Sequence, residues 1–203
     1  MATAERDACA DRARGAAAAA AANAAAVKEL SDALLEKISM IKLHTPPEKL
    51  SIFSPVTLLA SFGGSGFITP ASGTWGSLAA LPIATYILFN YSGLYLLYLS
   101  FTLFLIGMWV CREWLNAVGD QDNDPSMIVI DEAAGLSLTL AFAEMSLISV
   151  FLGFALFRLF DIAKPWPISW LEKRFSGAFG IMIDDMVAGL LAGIILFFFQ
   201  IYG

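Results

Sequence analysis

Histidine and cysteine are almost missing from this 203-residue chain, and their scarcity removes whole classes of chemistry. The one histidine, His44, stands in a polar linker before Thr45-Pro46-Pro47, where a solvated side chain is the ordinary outcome. Phosphatases with a histidine nucleophile need further histidines beside phosphate-binding cations, so that route is closed. Cys9 and Cys111 form neither a disulfide framework nor a zinc-site spacing, which fits a reducing compartment. A cysteine phosphatase needs arginine six positions after its nucleophile; Ala117 and Gly15 stand there instead. Positive charge is short too, with 12 Lys and Arg against 18 Asp and Glu and a net charge of −6. No basic stripe exists to neutralise a phosphate backbone, so a nucleic-acid partner is excluded.

What is abundant is apolar. Hydrophobic residues make up 58% and charged residues 15%, with a mean hydropathy of +0.71. Globular chains average about 45–50% and about 25%, so the balance points to a membrane protein or an unusually apolar helical core. The length allows one domain with a tail. Residues 1–50 read as an alanine-rich helical leader and linker, with apolar positions Val27, Leu30, Leu34, Ile38 and Ile41 at helical spacing up to Leu43. Acids Glu5, Asp7 and Asp11 ahead of the alanines argue against a secretory signal. Residues 51–203 read as a membrane-embedded domain. Apolar runs cover roughly 78–89, 94–110, 133–142, 145–160 and 186–202, without strand-like alternation. Backbone groups in lipid must bond internally, so the expected fold is all-α, with several short apolar helices. Runs 94–110 and 186–202 reach about 26 Å each at about 1.5 Å per residue, enough to span with slight mismatch.

The polar residues between these runs carry the chemistry. Arg158, Asp161 and Lys164 fall three apart at the end of one run, so one helical face is expected to present all three. Asp131-Glu132 and Asp184-Asp185 stand at the heads of two others. Asp131, Glu132, Asp161, Asp184 and Asp185 are oxygen donors of the kind Mg²⁺ prefers, and together they would repel without a cation. Arg158 and Lys164 suit phosphate oxygens. Asp161 and Asp185, with these two cations, are the candidate catalytic residues. Taken singly, Asp131 and Asp184 also read as acids favoured by a helix N-terminus. Segment 63–77 is glycine-rich; Gly73, Thr74 and Ser77 are candidate phosphate contacts. Gly189 and Gly193 read as a helix-packing face. Asp120-Gln121-Asp122-Asn123-Asp124 reads as a solvated acidic loop, since Pro125 stands where a calcium loop wants glycine. For Asp131-Glu132 and Asp161 to share a site, residues 133–160 must form a hairpin turning near Glu144-Met145-Ser146.

Four blocks now resemble one family. They are Gly73-Thr74-Trp75-Gly76-Ser77, Ile128-Val129-Ile130-Asp131-Glu132-Ala133-Ala134-Gly135, Phe157-Arg158-Leu159-Phe160-Asp161-Ile162-Ala163-Lys164-Pro165-Trp166-Pro167 and Gly180-Ile181-Met182-Ile183-Asp184-Asp185-Met186-Val187-Ala188-Gly189. In this order they resemble the phosphatidylglycerophosphatase A family over roughly 61–202. The resemblance implies an all-helical, Mg²⁺-dependent enzyme of the bacterial inner membrane that converts phosphatidylglycerophosphate to phosphatidylglycerol and inorganic phosphate. The family usually has proline before Gly73-Thr74, where this chain has Ala71-Ser72, so a looser turn is expected.

The residues support a metal-assisted phosphomonoester hydrolase acting on a lipid head group at the cytoplasmic face of the bilayer. Two rivals remain. An alcohol phosphotransferase of phospholipid synthesis would carry Asp-x-x-Asp-Gly-x-x-Ala-Arg, which no stretch fits. A small cation carrier would hold its acids in mid-helix rather than at helix ends. Oligomeric state is not encoded in any pattern of the chain.

Overall fold

In a computed structural model, the described residues are 50–119 and 126–202, with residues 23, 25, 27–32, 42–43 and 45–46. The chain divides into two units, 1–42 and 43–203. In the first, residues 27–32 are helical and exposed. The helix expected to continue to Leu43 does not reach it, because Lys42–Leu43 are extended. The alanine run and most of the leader, with His44 and residues 120–125, lie outside the described residues.

The second unit is a helical bundle, as expected. Its helices are α1 (Pro55–Ala60), α2 (Ser72–Asn90), α3 (Gly93–Val118), α4 (Ile130–Leu140), α5 (Leu147–Ala163), α6 (Ile168–Arg174) and α7 (Gly177–Tyr202). Local chemistry sets several boundaries. Ser54 caps α1 by accepting from the Thr57 amide at 3.1 Å, with Pro55 at the first helical position. Ser146 caps α5 the same way through Ser149. The segment 141–146 is therefore the turn of a hairpin formed by α4 and α5, as the shared-site argument requires.

Helix α4 is the centre of the bundle. Nearly all of its residues are buried, so it is packed on every side. At 11 residues it is only about 17 Å long, too short to cross a bilayer of about 30 Å. Its neighbours approach through small residues, which is how helices associate where apolar burial alone gives no drive. Gly135 of α4 lets the backbone of α7 in: a Cβ there would lie 2.6 Å from the Asp185 carbonyl oxygen. Gly189 of α7 backs directly onto Gly135, and Thr139 donates to the Gly189 carbonyl at 3.0 Å. The packing role expected of Gly189 and Gly193 is what these contacts show; Gly193 faces the Phe142 ring.

The same contacts fix direction. Gly93 abuts Ala141, whereas Gly107 abuts Ile130 and Met182, so α3 runs antiparallel to α4 and α7. Gly153 abuts Leu140 and Leu196 while Phe157 reaches Gly135, so α5 also returns. Helices α2, α4 and α7 thus start at one end of the bundle, where α3 and α5 finish.

Helices α3 and α7, at 26 residues each, are long and apolar enough to cross a membrane. Only 28% and 44% of their most apolar windows are buried, unlike the core helices of a water-soluble protein. Phe101, Leu105, Ile194, Ile195 and Phe198 lie on the outside. An apolar outer surface of this extent fits membrane association.

Candidate active site

The end where α2, α4 and α7 begin holds a cavity of about 440 Å³, lined by Asp131, Glu132, Asp161, Asp184 and Asp185 together with Lys164. All three acidic clusters singled out in the sequence therefore converge.

Asp131 and Glu132 occupy the first turn of α4, and Asp185 lies two turns inside α7. Their meeting follows from a repeated pattern. Asp131 precedes Gly135 by one turn, and Asp185 precedes Gly189 by one turn. The helices cross where these glycines touch, so each aspartate is carried to the same height. Oxygens of Asp131, Glu132 and Asp185 all lie within 4.8 Å of one another. Asp131 and Asp185 are 9% and 4% exposed. Asp131 Oδ1 and Glu132 Oε2 are buried without a hydrogen-bond partner. Orphaned buried carboxylate oxygens are costly, and burial raises the Asp131 pKa well above its ordinary range, with the Glu132 charge adding to it. Burial also pushes Glu132 up to about 8, helped by repulsion from Asp185 and Asp161 and partly offset by hydrogen bonding with Asp131. This donor set fits a hard divalent cation, which would supply the missing charge and ligate the orphaned oxygens.

The other two acids are balanced by protein cations. Arg158 binds Asp161 one turn ahead on α5. Its Nη2 donates to Thr74 Oγ1 at 3.0 Å and its Nη1 to Ser77 Oγ at 3.4 Å. Lys164 donates to Asp184 at 2.9 Å and to Glu172 at 2.7 Å. Burial pulls the Lys164 pKa down, but bonding to the two carboxylates outweighs it and leaves it raised.

Several expectations about placement differ from the geometry. Helix α5 ends at Ala163, and Lys164 caps it with a left-handed φ of 42°. It therefore leaves the face shared by Arg158 and Asp161 and points to α6 and α7; proline at 165 prevents the helix from continuing. Asp184 and Asp185 are not at a helix head, because α7 begins at Gly177, and the N-terminal-acid explanation fails for them. Residues 72–77 are not loop but the first turns of α2. Gly73, Thr74 and Ser77 do not line the cavity. Thr74 and Ser77 hold Arg158 from behind, and a Cβ on Gly73 would run into the Glu132 carboxylate. Arg158 is likewise absent from the cavity wall, whereas Lys164 is part of it.

Sequence reasoning missed Glu172 and the first turn of α7. Glu172 lines the cavity from α6; its signal was only an acid eight residues beyond Lys164, across two prolines. Gly177 and Gly180 bring the start of α7 to the cavity, where helix amides lack intrahelical partners.

Fold and site define a helical protein with a lipid-compatible surface and a buried acidic, metal-binding type of pocket at one end. Residues 58–200 match the family described as Phosphatidylglycerophosphatase A. The chain is 40% identical over 160 residues to the Phosphatidylglycerophosphatase A of Haemophilus influenzae, covering 77% of this chain and 96% of that protein. To its namesake from Escherichia coli K12 it is 38% identical over 151 residues, covering 74% and 86%. The chain belongs to the phosphatidylglycerophosphatase A family. No solved structure matches it.

Proposed function

We propose that this protein is a Mg²⁺-dependent phosphatidylglycerophosphate phosphatase of the bacterial inner membrane, with its pocket on the cytoplasmic side. One observation carries the reading. Three clustered carboxylates, two of them with a buried oxygen that has no hydrogen-bond partner, share with a lysine a pocket at one end of an apolar bundle. The names of its relatives supply the lipid substrate.

Asp131, Glu132 and Asp185 would hold the cation, which when bound polarises a phosphoryl oxygen and offsets developing charge. The chain's own groups do the rest. Lys164 binds a phosphate oxygen as a point charge. The open amides at the start of α7 face the same anion. Arg158, anchored by Thr74 and Ser77, holds Asp161 at the cavity wall, where it accepts a proton from the attacking water. Acyl chains remain in lipid against the aromatic outer faces.

Orientation rests on a sorting of residues along the bundle. After position 50, Lys and Arg occur only as Arg112, Arg158, Lys164, Lys173 and Arg174, all in the half that holds the pocket. The positive-inside tendency assigns that half to the cytoplasm. All five tryptophans, at 75, 109, 114, 166 and 170, lie in this half. All five tyrosines, at 86, 91, 95, 98 and 202, lie toward the other. Two aromatic girdles suit two interfaces.

The mid-helix position of Asp184 and Asp185 meets what a cation carrier would need. However, Leu136, Leu140, Ala188, Ala192 and Leu196, all fully buried, fill the interior between the acids and the far end. That places a layer of packed apolar side chains between the acids and the far end. The test is inorganic phosphate released from purified phosphatidylglycerophosphate, with Mg²⁺ and with EDTA. Release that needs Mg²⁺ supports the reading; cation flux without phosphate release would replace it with the carrier.

A further inference from the structure

We infer that Glu172 is a displaceable placeholder on Lys164, occupying the position that a phosphate oxygen takes and thereby setting how tightly the pocket holds phosphate. The inference rests on the proposed phosphatase reading and extends it to a residue that the sequence patterns did not mark.

Lys164 is held by two carboxylates of very different standing. Asp184 is 12% exposed and fixed within α7, whereas the Glu172 side chain is 50% exposed at the cavity rim. Detaching a half-exposed carboxylate from an ammonium is cheap, because solvent-exposed ion pairs are held only weakly. Detaching Asp184 would strand a buried charge. Of the two, Glu172 is the partner that yields.

Charge gives a reason for it to yield. Glu172 adds a sixth carboxyl to Asp131, Glu132, Asp161, Asp184 and Asp185, against only Lys164 and Arg158. An incoming phosphate dianion meets this excess even with a divalent ion present. It also meets a lysine with two of its three donors already in use. Moving the Glu172 carboxylate into solvent frees one donor and removes the nearest repelling charge at the mouth. When phosphate leaves, Glu172 returns, so it weakens product retention as well as substrate capture. Glu172 touches Lys164 rather than the reacting atoms, and is an affinity-setting, positioning residue.

The experiment uses full-length protein in neutral detergent with Mg²⁺, comparing wild type, Glu172→Gln and Glu172→Asp. Inhibition by inorganic phosphate and the KM for the phosphomonoester lipid are measured together, and direct binding of inorganic phosphate is titrated separately. Glu172→Gln should tighten phosphate inhibition and lower KM by about 5-fold each, the scale of one exposed charge contact. Glu172→Asp, which keeps the charge, should stay near wild type. Unchanged or weaker phosphate binding in Glu172→Gln overturns the inference, as would equal tightening in Glu172→Asp. Should wild type release no phosphate from the lipid, the enzymatic reading fails. The inorganic phosphate titration would still decide the placeholder role. Should Glu172→Gln unfold in detergent, Glu172→Ser is titrated in the same way.

Discussion

The pocket contains two kinds of acid, and the difference between them shows how the site works. Asp161 and Asp184 each have a protein cation: Arg158 for the first, Lys164 for the second. Among the described residues Asp131, Glu132 and Asp185 have no ion pair with a protein cation, and two of their oxygens are buried with no hydrogen-bond partner. A fold gains nothing in stability from three mutually repelling buried carboxyls. The balanced pairs are locked in place by the chain itself, whereas the unbalanced trio has the composition and spacing of a cation site. The trio lies at the α4–α7 crossing; the balanced pairs lie around it, on α5, its cap and the edge of α7.

The comparison can be broken by removing acids from each group. Asp185→Asn should lower phosphate release by at least about 10³-fold, since it removes a ligand for the charge-stabilising ion. In metal-free protein it should leave the melting temperature equal or higher, because a repelling charge is gone. Asp161→Asn should lower turnover by about 10²-fold, the usual scale of a lost proton acceptor, while leaving metal affinity nearly intact. A fall in metal affinity as large as that of Asp185→Asn would merge the two groups and break the distinction.

Geometry offers a second route. Gly189→Leu should part α4 from α7 and weaken metal binding by about 10-fold or more, although it removes no charge; parallel metal titration and circular dichroism separate this from unfolding. Thr74→Val should act more mildly, removing one hydrogen bond to Arg158 and lowering kcat by about 3- to 10-fold, with metal binding unchanged. The smallest effect belongs to the far end. There Gln200 accepts from the Glu144 amide at 2.9 Å across the α4–α5 turn. Gln200→Leu should cost about 1 kcal/mol of stability at most and leave turnover at wild-type level.

Much of this site was readable before any coordinates. The acids beside apolar runs pointed to the residues that line the pocket, and the need for Asp131 and Asp161 to share a face required the α4–α5 hairpin. Periodicity failed where the backbone left it. Lys164 shares a helical spacing with Arg158 and Asp161, but a left-handed cap turns it toward another helix. The helix start at Gly177 was missed because residues 177–183 mix glycine with apolar residues, although Ser176 stands at the capping position. Reading Asp184-Asp185 as a helix head was the consequence. Glu172 was invisible for a different reason: its partner lies across a proline-bounded turn whose direction no local pattern specifies. Thr74 and Ser77 were chosen as phosphate contacts from a glycine-rich neighbourhood; in the structure both accept from Arg158, which pairs with Asp161.

The most direct test is a titration of divalent ion into full-length protein in detergent, read by calorimetry without substrate. The account predicts a saturable site in wild type that is lost in Asp131→Asn, Glu132→Gln and Asp185→Asn, and retained in Lys164→Gln and Arg158→Gln. Absence of a site in wild type, or its survival in all three trio variants, would contradict it.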